Sequence, residues 1–227
     1  MKLLQHFSIS RLKLNLLANF IGTGWSAFLQ LAFVPFYIRL VGVESYGLVG
    51  FFLALQMVFK GFDFGFSATM NREMARYLVS PEQTWSVPNL VRTLEIGYWL
   101  IGVILGLGLM LLSSFIATYW IKAATLSQET IRISVVLMGA TTILQWPLTF
   151  YQGGMMGLQR HALLGTIKVL ASSAIFGGAM LVLWWARDIS AFFLWQSVVS
   201  GLYIVTLRFL FWHNVPDLHT ALRVDPR

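Results

Sequence analysis

Lys60 and Asp63 have the clearest capacity for chemistry in this sequence, because they close a stretch, residues 45–59, that is free of Asp, Glu, Lys and Arg. At i and i+3 they share one face of a helix. In hydrocarbon a single charge costs roughly 2.5 to 3.5 kcal/mol on insertion scales, so it is kept for a partner or a function. Two readings stay open. Either the two side chains pair and snorkel to the membrane interface, or Lys60 faces a water-filled cavity and contacts an anion while Asp63 takes up a coupling ion. Arg72, Glu73 and Arg76 follow at once, and Arg160 has the same setting after a later apolar stretch. Glu73, Arg76 and Arg160 read as residues of a cytoplasmic mouth, with Arg72 as a second anion contact. As topology anchors they need no ligand.

Gln30, Gln56, Gln145 and Gln196 lie within apolar stretches. A carboxamide carries donor and acceptor together, so these four suit sugar hydroxyls or one another across helices. Glu95, three residues after Arg92, reads as a favourable charge at a helix N-terminus. Enzyme chemistry is not expected. His6, His161, His213 and His219 lack metal-ligand spacing, and there is no serine elbow, phosphate-cradling loop or paired-carboxylate motif. The absence of cysteine excludes disulfides, thiol catalysis and thiolate metal sites. We expect no cofactor and no metal.

The elements that position these residues follow from composition. Of 227 residues, 57% are hydrophobic and 11% charged, and the mean hydropathy is +0.72. Soluble domains carry about 25% charged residues, so this chain calls for a lipid solvent. A net charge of +7 and a pI near 10.0 would suit nucleic acid, but no basic cluster with interleaved aromatics is present, and no nucleic-acid partner is expected. A helix needs about 20 apolar residues to cross a hydrocarbon core about 30 Å thick. Six charge-poor intervals supply them. The expected spans are 14–38, 46–67, 94–121, 131–156, 166–186 and 189–212, together a transmembrane lobe over 14–212. The second is expected to continue as helix through Lys60 and Asp63 to Ser67. The first is too long for a secretory signal and ends without a small-residue cleavage site.

Residues 1–13 form a cytoplasmic segment, either amphipathic on the anionic leaflet or a solvated tail, and residues 213–227 form a cytoplasmic C-terminal tail. The polar stretch 71–92, with Pro81 and Pro88, is expected along the cytoplasmic surface. With the N-terminus inside, Lys2, Arg11, Lys13, Arg72, Arg76, Arg92, Arg160, Lys168, Arg208, Arg223 and Arg227 fall inside, and Arg39, Lys122, Arg132 and Arg187 outside. Cations are retained on the cytoplasmic side, which places both termini there. Trp85, Trp99 and Trp212 sit near inner boundaries, and Trp120, Trp184, Trp185 and Trp195 near outer ones, as interfacial belts require. Pro35 and Pro147 are expected to kink their helices, and at Pro147 an interrupted helix also suits a substrate cavity. Gly61 and Gly65, Gly102 and Gly106, and Gly153 and Gly157 have the spacing that lets helices approach closely.

Three strings are more specific. Asn15 and Asn19 lead to Pro35-Phe36-Tyr37-Ile38-Arg39-Leu40-Val41-Gly42-Val43-Glu44-Ser45-Tyr46-Gly47-Leu48, which resembles the opening of the polysaccharide (Wzx-type) flippases of the multidrug/oligosaccharidyl-lipid/polysaccharide exporter superfamily. Phe62-Asp63-Phe64-Gly65-Phe66-Ser67, then Asn71-Arg72-Glu73 and Ala75-Arg76, is similar to that family's Leu-Asp-x-Gly and Arg-Glu-x-Ala signature. Tyr151-Gln152-Gly153 with Gly157-Leu158-Gln159-Arg160 is a third echo. Gly165 departs from it, standing where the family has asparagine.

The resemblance implies an all-α polytopic membrane protein whose six transmembrane helices form one lobe of a two-lobe transporter around a central cavity. These residues supply the first lobe, so the expectation is a fragment or truncated product, or a homodimer that replaces the second lobe. The implied function is flipping of an undecaprenyl-diphosphate-linked oligosaccharide across the bacterial inner membrane for O-antigen or exopolysaccharide synthesis. The implied partners are that substrate, membrane lipids and a polysaccharide polymerase. Two alternatives stay open: a cation-coupled multidrug antiporter, against which a cationic cavity speaks, and a non-transporting membrane subunit.

Overall fold

The computed structural model describes residues 2–63, 65–79 and 87–215, and for 2–21 and 87–88 the backbone alone. Pro81, Trp85, His219, Arg223, Arg227 and the tail from 216 lie outside the described residues, as do Phe64 and the side chains of 1–13, Asn15, Asn19 and Pro88. Among the described residues every regular element is helical: α1 Lys2–Lys60, a 3-10 turn Gly61–Asp63, α2 Phe66–Val79, α3 Val87–Phe115 running into a π-helical turn Ile116–Trp120, α4 Gln128–Gln145, α5 Leu148–Gly157, α6 His161–Ala186 and α7 Ile189–Asn214. Within the stretch 71–92, residues 71–79 and 87–92 are thus helical, and α3 begins seven residues before the span expected there.

Among the described residues, five helical stretches are long and apolar enough to cross a membrane: Gly22–Asp63, Asn89–Trp120, Gln128–Gly157, His161–Ala186 and Ile189–Asn214. The first has 42 residues, about 63 Å of helix, or roughly two hydrocarbon thicknesses. Gly42 divides it, with φ 84° and ψ 162°, a conformation that L side chains rarely adopt. Gln30 before the break and Gln56 after it line one cleft, so the chain doubles back and the five stretches make six rods. Helical dihedrals continue through Pro35. The non-helical residue of this stretch is Gly42, in the gap between the expected spans 14–38 and 46–67.

A second correction concerns the end of α1. Its helix stops at Lys60, the chain turns through Gly61–Asp63, and α2 starts afresh at Phe66. Gly65 has φ 78°, and a Cβ added at Gly61 or Gly65 would meet nothing within 4 Å. This pair turns the chain and packs no helix.

The other two glycine pairs pack as expected. A Cβ on Gly106 would lie 2.5 Å from the Gly139 carbonyl oxygen, and one on Gly153 2.5 Å from that of Ser67. These contacts bring α3 onto α4 and α5 onto α2. Gly165 lies against Gly22, closing α6 on α1. Pro147 does break its helix: α4 ends at Gln145, and Trp146 and Pro147 form a turn before α5.

Two apolar clusters fill the interior. One joins Met70, Met74, Tyr98, Phe150, Tyr151 and Phe211, and the other Tyr37, Phe52, Val135, Met138, Phe192 and Phe193. The outward face is also apolar. Ile96, Leu100, Ile104, Leu107, Leu111 and Phe115 are exposed along one face of α3, and Leu194, Val198, Leu202, Val205 and Phe209 along one face of α7. Helices apolar on both the inward and outward faces belong to a large core or a lipid solvent.

Candidate functional site

The four glutamines inside apolar stretches converge. Gln56 Nε2 donates to Gln145 Oε1 at 2.6 Å, and Gln145 Nε2 donates to Ser200 Oγ at 2.9 Å, a relay from α1 through α4 to α7. Gln30, Gln56, Gln145 and Gln196 all line one cleft of about 180 Å³, together with Tyr37 and Tyr46. Gln56 and Gln145 also line a second space of about 350 Å³ with Lys60, Asp63, Trp146 and Gln152. The two spaces meet at these shared carboxamides and together make a groove whose walls are otherwise largely apolar. The break at Pro147 shapes its wall, since Trp146, Leu148 and Thr149 on either side of the proline face it.

Two polar atoms of residues that line it are enclosed without a partner among the described residues, Trp146 Nε1 and Gln196 Oε1. An enclosed donor or acceptor left unpaired costs about 1 to 3 kcal/mol, a cost these two atoms carry within the packed helices.

Lys60 and Asp63 line the groove but do not form an ion pair with each other. The helix end at Lys60 takes them off a common helical face. Asp63 is committed elsewhere: Tyr98 donates its hydroxyl to Oδ1 in a short contact, and Ser67 Oγ donates to Oδ2 at 2.7 Å. Asp63 thereby ties the turn before α2 to α3, and Lys60 is left exposed at the groove's end. Arg72 does not line the groove; it is exposed on α2 and donates to Thr69 Oγ1 at 3.3 Å. Glu73 pairs with Arg76 at 3.6 Å. Arg160 caps α6 and has no ion-pair partner among the described residues. The structure therefore brings Lys60, Asp63 and the glutamines together and leaves the mouth cations apart from them.

Glu95 corrects the sequence reading. It lies well inside α3, is 5% exposed, and binds three other groups. Its Oε1 accepts from Tyr151 Oη at 2.5 Å, Arg208 Nε at 2.8 Å and Trp212 Nε1 at 3.3 Å. Trp99 Nε1 donates to Tyr151 Oη at 3.3 Å, and the Arg92 guanidinium lies 5.3 Å from the Trp212 ring centre. This network clamps α3, α5 and α7. The available signal was local: Arg92, Glu95 and Trp99 share one face of α3 by spacing, although their distant partners have no trace in the sequence order.

At the other end, Glu44 in the corner after Gly42 accepts from the backbone N–H of Ala124 at 2.5 Å, that of Thr125 at 2.7 Å, and the Thr125 hydroxyl. The Thr125 hydroxyl first, then the two N–H groups, hold its carboxyl below the usual carboxylate range. This explains the carboxylate's place in the 35–48 string. Among the described residues no cluster of His, Asp or Glu could hold a metal ion. No protein-family model, curated protein or solved structure matches this chain.

Proposed function

We propose that the chain is the first lobe of a multi-pass transporter of a bacterial inner membrane, both termini cytoplasmic, that flips undecaprenyl-diphosphate-linked oligosaccharide for surface-polysaccharide synthesis. The observation that carries the reading is the carboxamide groove ending at Lys60 within helices whose outward faces are apolar. Carboxamides and a cation in such surroundings are costly unless they are paired or meet something polar. A lipid-linked glycan supplies hydroxyls for the amides, a diphosphate for Lys60, and a hydrocarbon tail for the lipid outside. The resemblance of the 35–48, 62–76 and 151–160 strings to the polysaccharide flippases supports the same reading. Rocking of this lobe against a second lobe or a second copy would give alternating access.

The antiporter reading is disfavoured. It needs a carboxylate free to exchange a cation, and the groove's one carboxylate, Asp63, has both oxygens engaged. The test is reconstitution of the full chain into vesicles with a fluorescently labelled polyprenyl-diphosphate glycan on the inner leaflet. Protein-dependent appearance of the label outside, reduced in Lys60→Ala, is expected; protein-free rates would overturn the proposal.

A further inference from the structure

We infer that the space between the Glu44 corner and the segment leaving the π-helical turn holds the headgroup of a zwitterionic glycerophospholipid with a primary ammonium, its tail lying along an exposed small-residue face of α1. The inference needs the chain to lie in a bilayer and does not depend on what it transports.

Two elements make this space. The chain reverses at Gly42, so the start of the second limb of α1 stands against the non-helical segment that follows Trp120. Between them lies a space of about 260 Å³, with Glu44, Gly47 and Phe51 on one side and Ile121, Lys122 and Ala123 on the other. Glu44 and Lys122 bring opposite charges to this one space yet form no ion pair with each other, and Lys122 has no ion-pair partner among the described residues. The donors on Thr125 and Ala124 fix the Glu44 carboxylate in place. Opposite charges left apart across open volume match a ligand that carries both, with its phosphate at Lys122 and its ammonium at Glu44. A headgroup with a net negative charge would meet the repulsion of Glu44, and a quaternary ammonium has no N–H to donate to it.

The neighbouring residues mark this level as the membrane–water interface. Tyr119 and Trp120 are 69% and 64% exposed, Trp184 and Trp185 are exposed at the close of α6, and Leu183 beside them shares one apolar cluster with Ile121. Exposed aromatics of this kind gather at headgroup depth. Trp120 also packs edge-on against Phe51, with ring centres 5.9 Å apart, and so holds one wall of the space. Its volume falls below the roughly 300 to 1,000 Å³ of drug-sized sites, which is room for a headgroup and not for a whole lipid. The tail has a course outside it. Gly47, Gly50 and Ala54 are exposed on one face of α1, and a Cβ on either glycine would meet nothing within 4 Å. A strip without bulky side chains lets an acyl chain lie close to the helix. Gln56 follows Gly47 by about two and a half turns, on the opposite side of the helix, so this face is separate from the groove that ends at Lys60.

The experiment uses the full chain in a non-ionic detergent, stripped of lipid and titrated with dioctanoyl phosphatidylethanolamine, phosphatidylcholine and phosphatidylglycerol. Native mass spectrometry counts bound lipids and oligomers, and hydrogen exchange over residues 121–125 locates the binding. Phosphatidylethanolamine should bind most tightly and slow exchange there. Lys122→Gln should weaken it by about tenfold or more, the loss of one charge-assisted contact, and Gly47→Leu, which fills the start of the strip, should weaken it similarly. Both positions are exposed, so the two variants keep the fold, and Lys60→Ala should bind as the wild type does. Equal affinity in the wild type and Lys122→Gln, either other lipid bound as tightly as phosphatidylethanolamine, or no bound lipid would each overturn the site. Free glycerophosphoethanolamine binding as tightly as the lipid would overturn the lipid in favour of a soluble ligand. A dimer that Gly47→Leu abolishes, with no lipid bound, would overturn it in favour of a second copy on this face.

Discussion

The Tyr151 hydroxyl on α5 donates to Glu95 Oε1 on α3 at 2.5 Å, and Arg208 on α7 reaches the same oxygen at 2.8 Å. Three helices distant in sequence thereby share one carboxylate oxygen. Glu95→Ala removes the acceptor for all three donors. Hydrogen bonds to a charged group contribute about 1.5 to 3 kcal/mol, so a loss of roughly 2 to 3 kcal/mol is expected, read as a lower unfolding midpoint in detergent. Glu95→Gln, which keeps one acceptor oxygen, should lose about half as much.

The α3–α4 crossing depends on the absence of side chains. Gly106→Ala forces a methyl against the Gly139 carbonyl oxygen and Ile143, an overpacking that costs about 1 to 3 kcal/mol. Gly97→Ala on the same helix meets nothing within 4 Å and should be neutral or slightly stabilising, as helix propensity favours alanine. Paired chemical-denaturation curves for the two variants check this, and equal effects would contradict the close crossing.

Glu44 ties the corner after Gly42 to the loop at Ala124 and Thr125. Its folded pKa is lowered from 4.5, so its contribution to stability is fully present above that value and is lost as pH falls through the lower folded value. The protection of the Thr125 amide, its exchange rate relative to the intrinsic rate at each pH, should fall on acidification below about pH 4.5. In Glu44→Gln the protection should be lower at neutral pH and largely unchanged by acid over the same window.

Lys60 is the cation that lines the groove, and Arg72 does not line it. Lys60→Ala should reduce glycan transport by about tenfold or more at unchanged protein level, since loss of one charge-assisted contact amounts to about 1.5 to 3 kcal/mol. Lys60→Arg should recover most of it. Arg72→Ala should stay close to wild type. Asp63→Ala should act through folding, lowering protein level, because Asp63 holds Tyr98 and Ser67.

The helical rods were legible in the sequence because apolar length is a direct signal: the stretch after Asp188 was placed at 189–212 and runs to Asn214. The break in α4 was legible from Pro147, since proline has one local consequence. The reversal at Gly42 was legible as the gap between the spans 14–38 and 46–67, but the residue that makes it was not singled out, because a glycine in an apolar run reads equally well as packing or as a turn. The same ambiguity gave Gly61 and Gly65 a packing role where they turn the chain. The four glutamines were identified singly, but their convergence depends on how α1, α4 and α7 are arranged, which no local pattern encodes. Glu95 was misread for a related reason: its nearest neighbours in sequence suggested a helix start, whereas its partners Tyr151, Arg208 and Trp212 lie at least 56 residues away.

Deleting the gene in its native host, extracting the lipids and staining the surface polysaccharide tests the transport reading most directly. Accumulation of polyprenyl-diphosphate-linked glycan with loss of surface polymer, restored by the 227-residue chain and not by its Lys60→Ala variant, is the expected result. Unchanged glycan lipids and unchanged surface polymer in the deletion strain would contradict it.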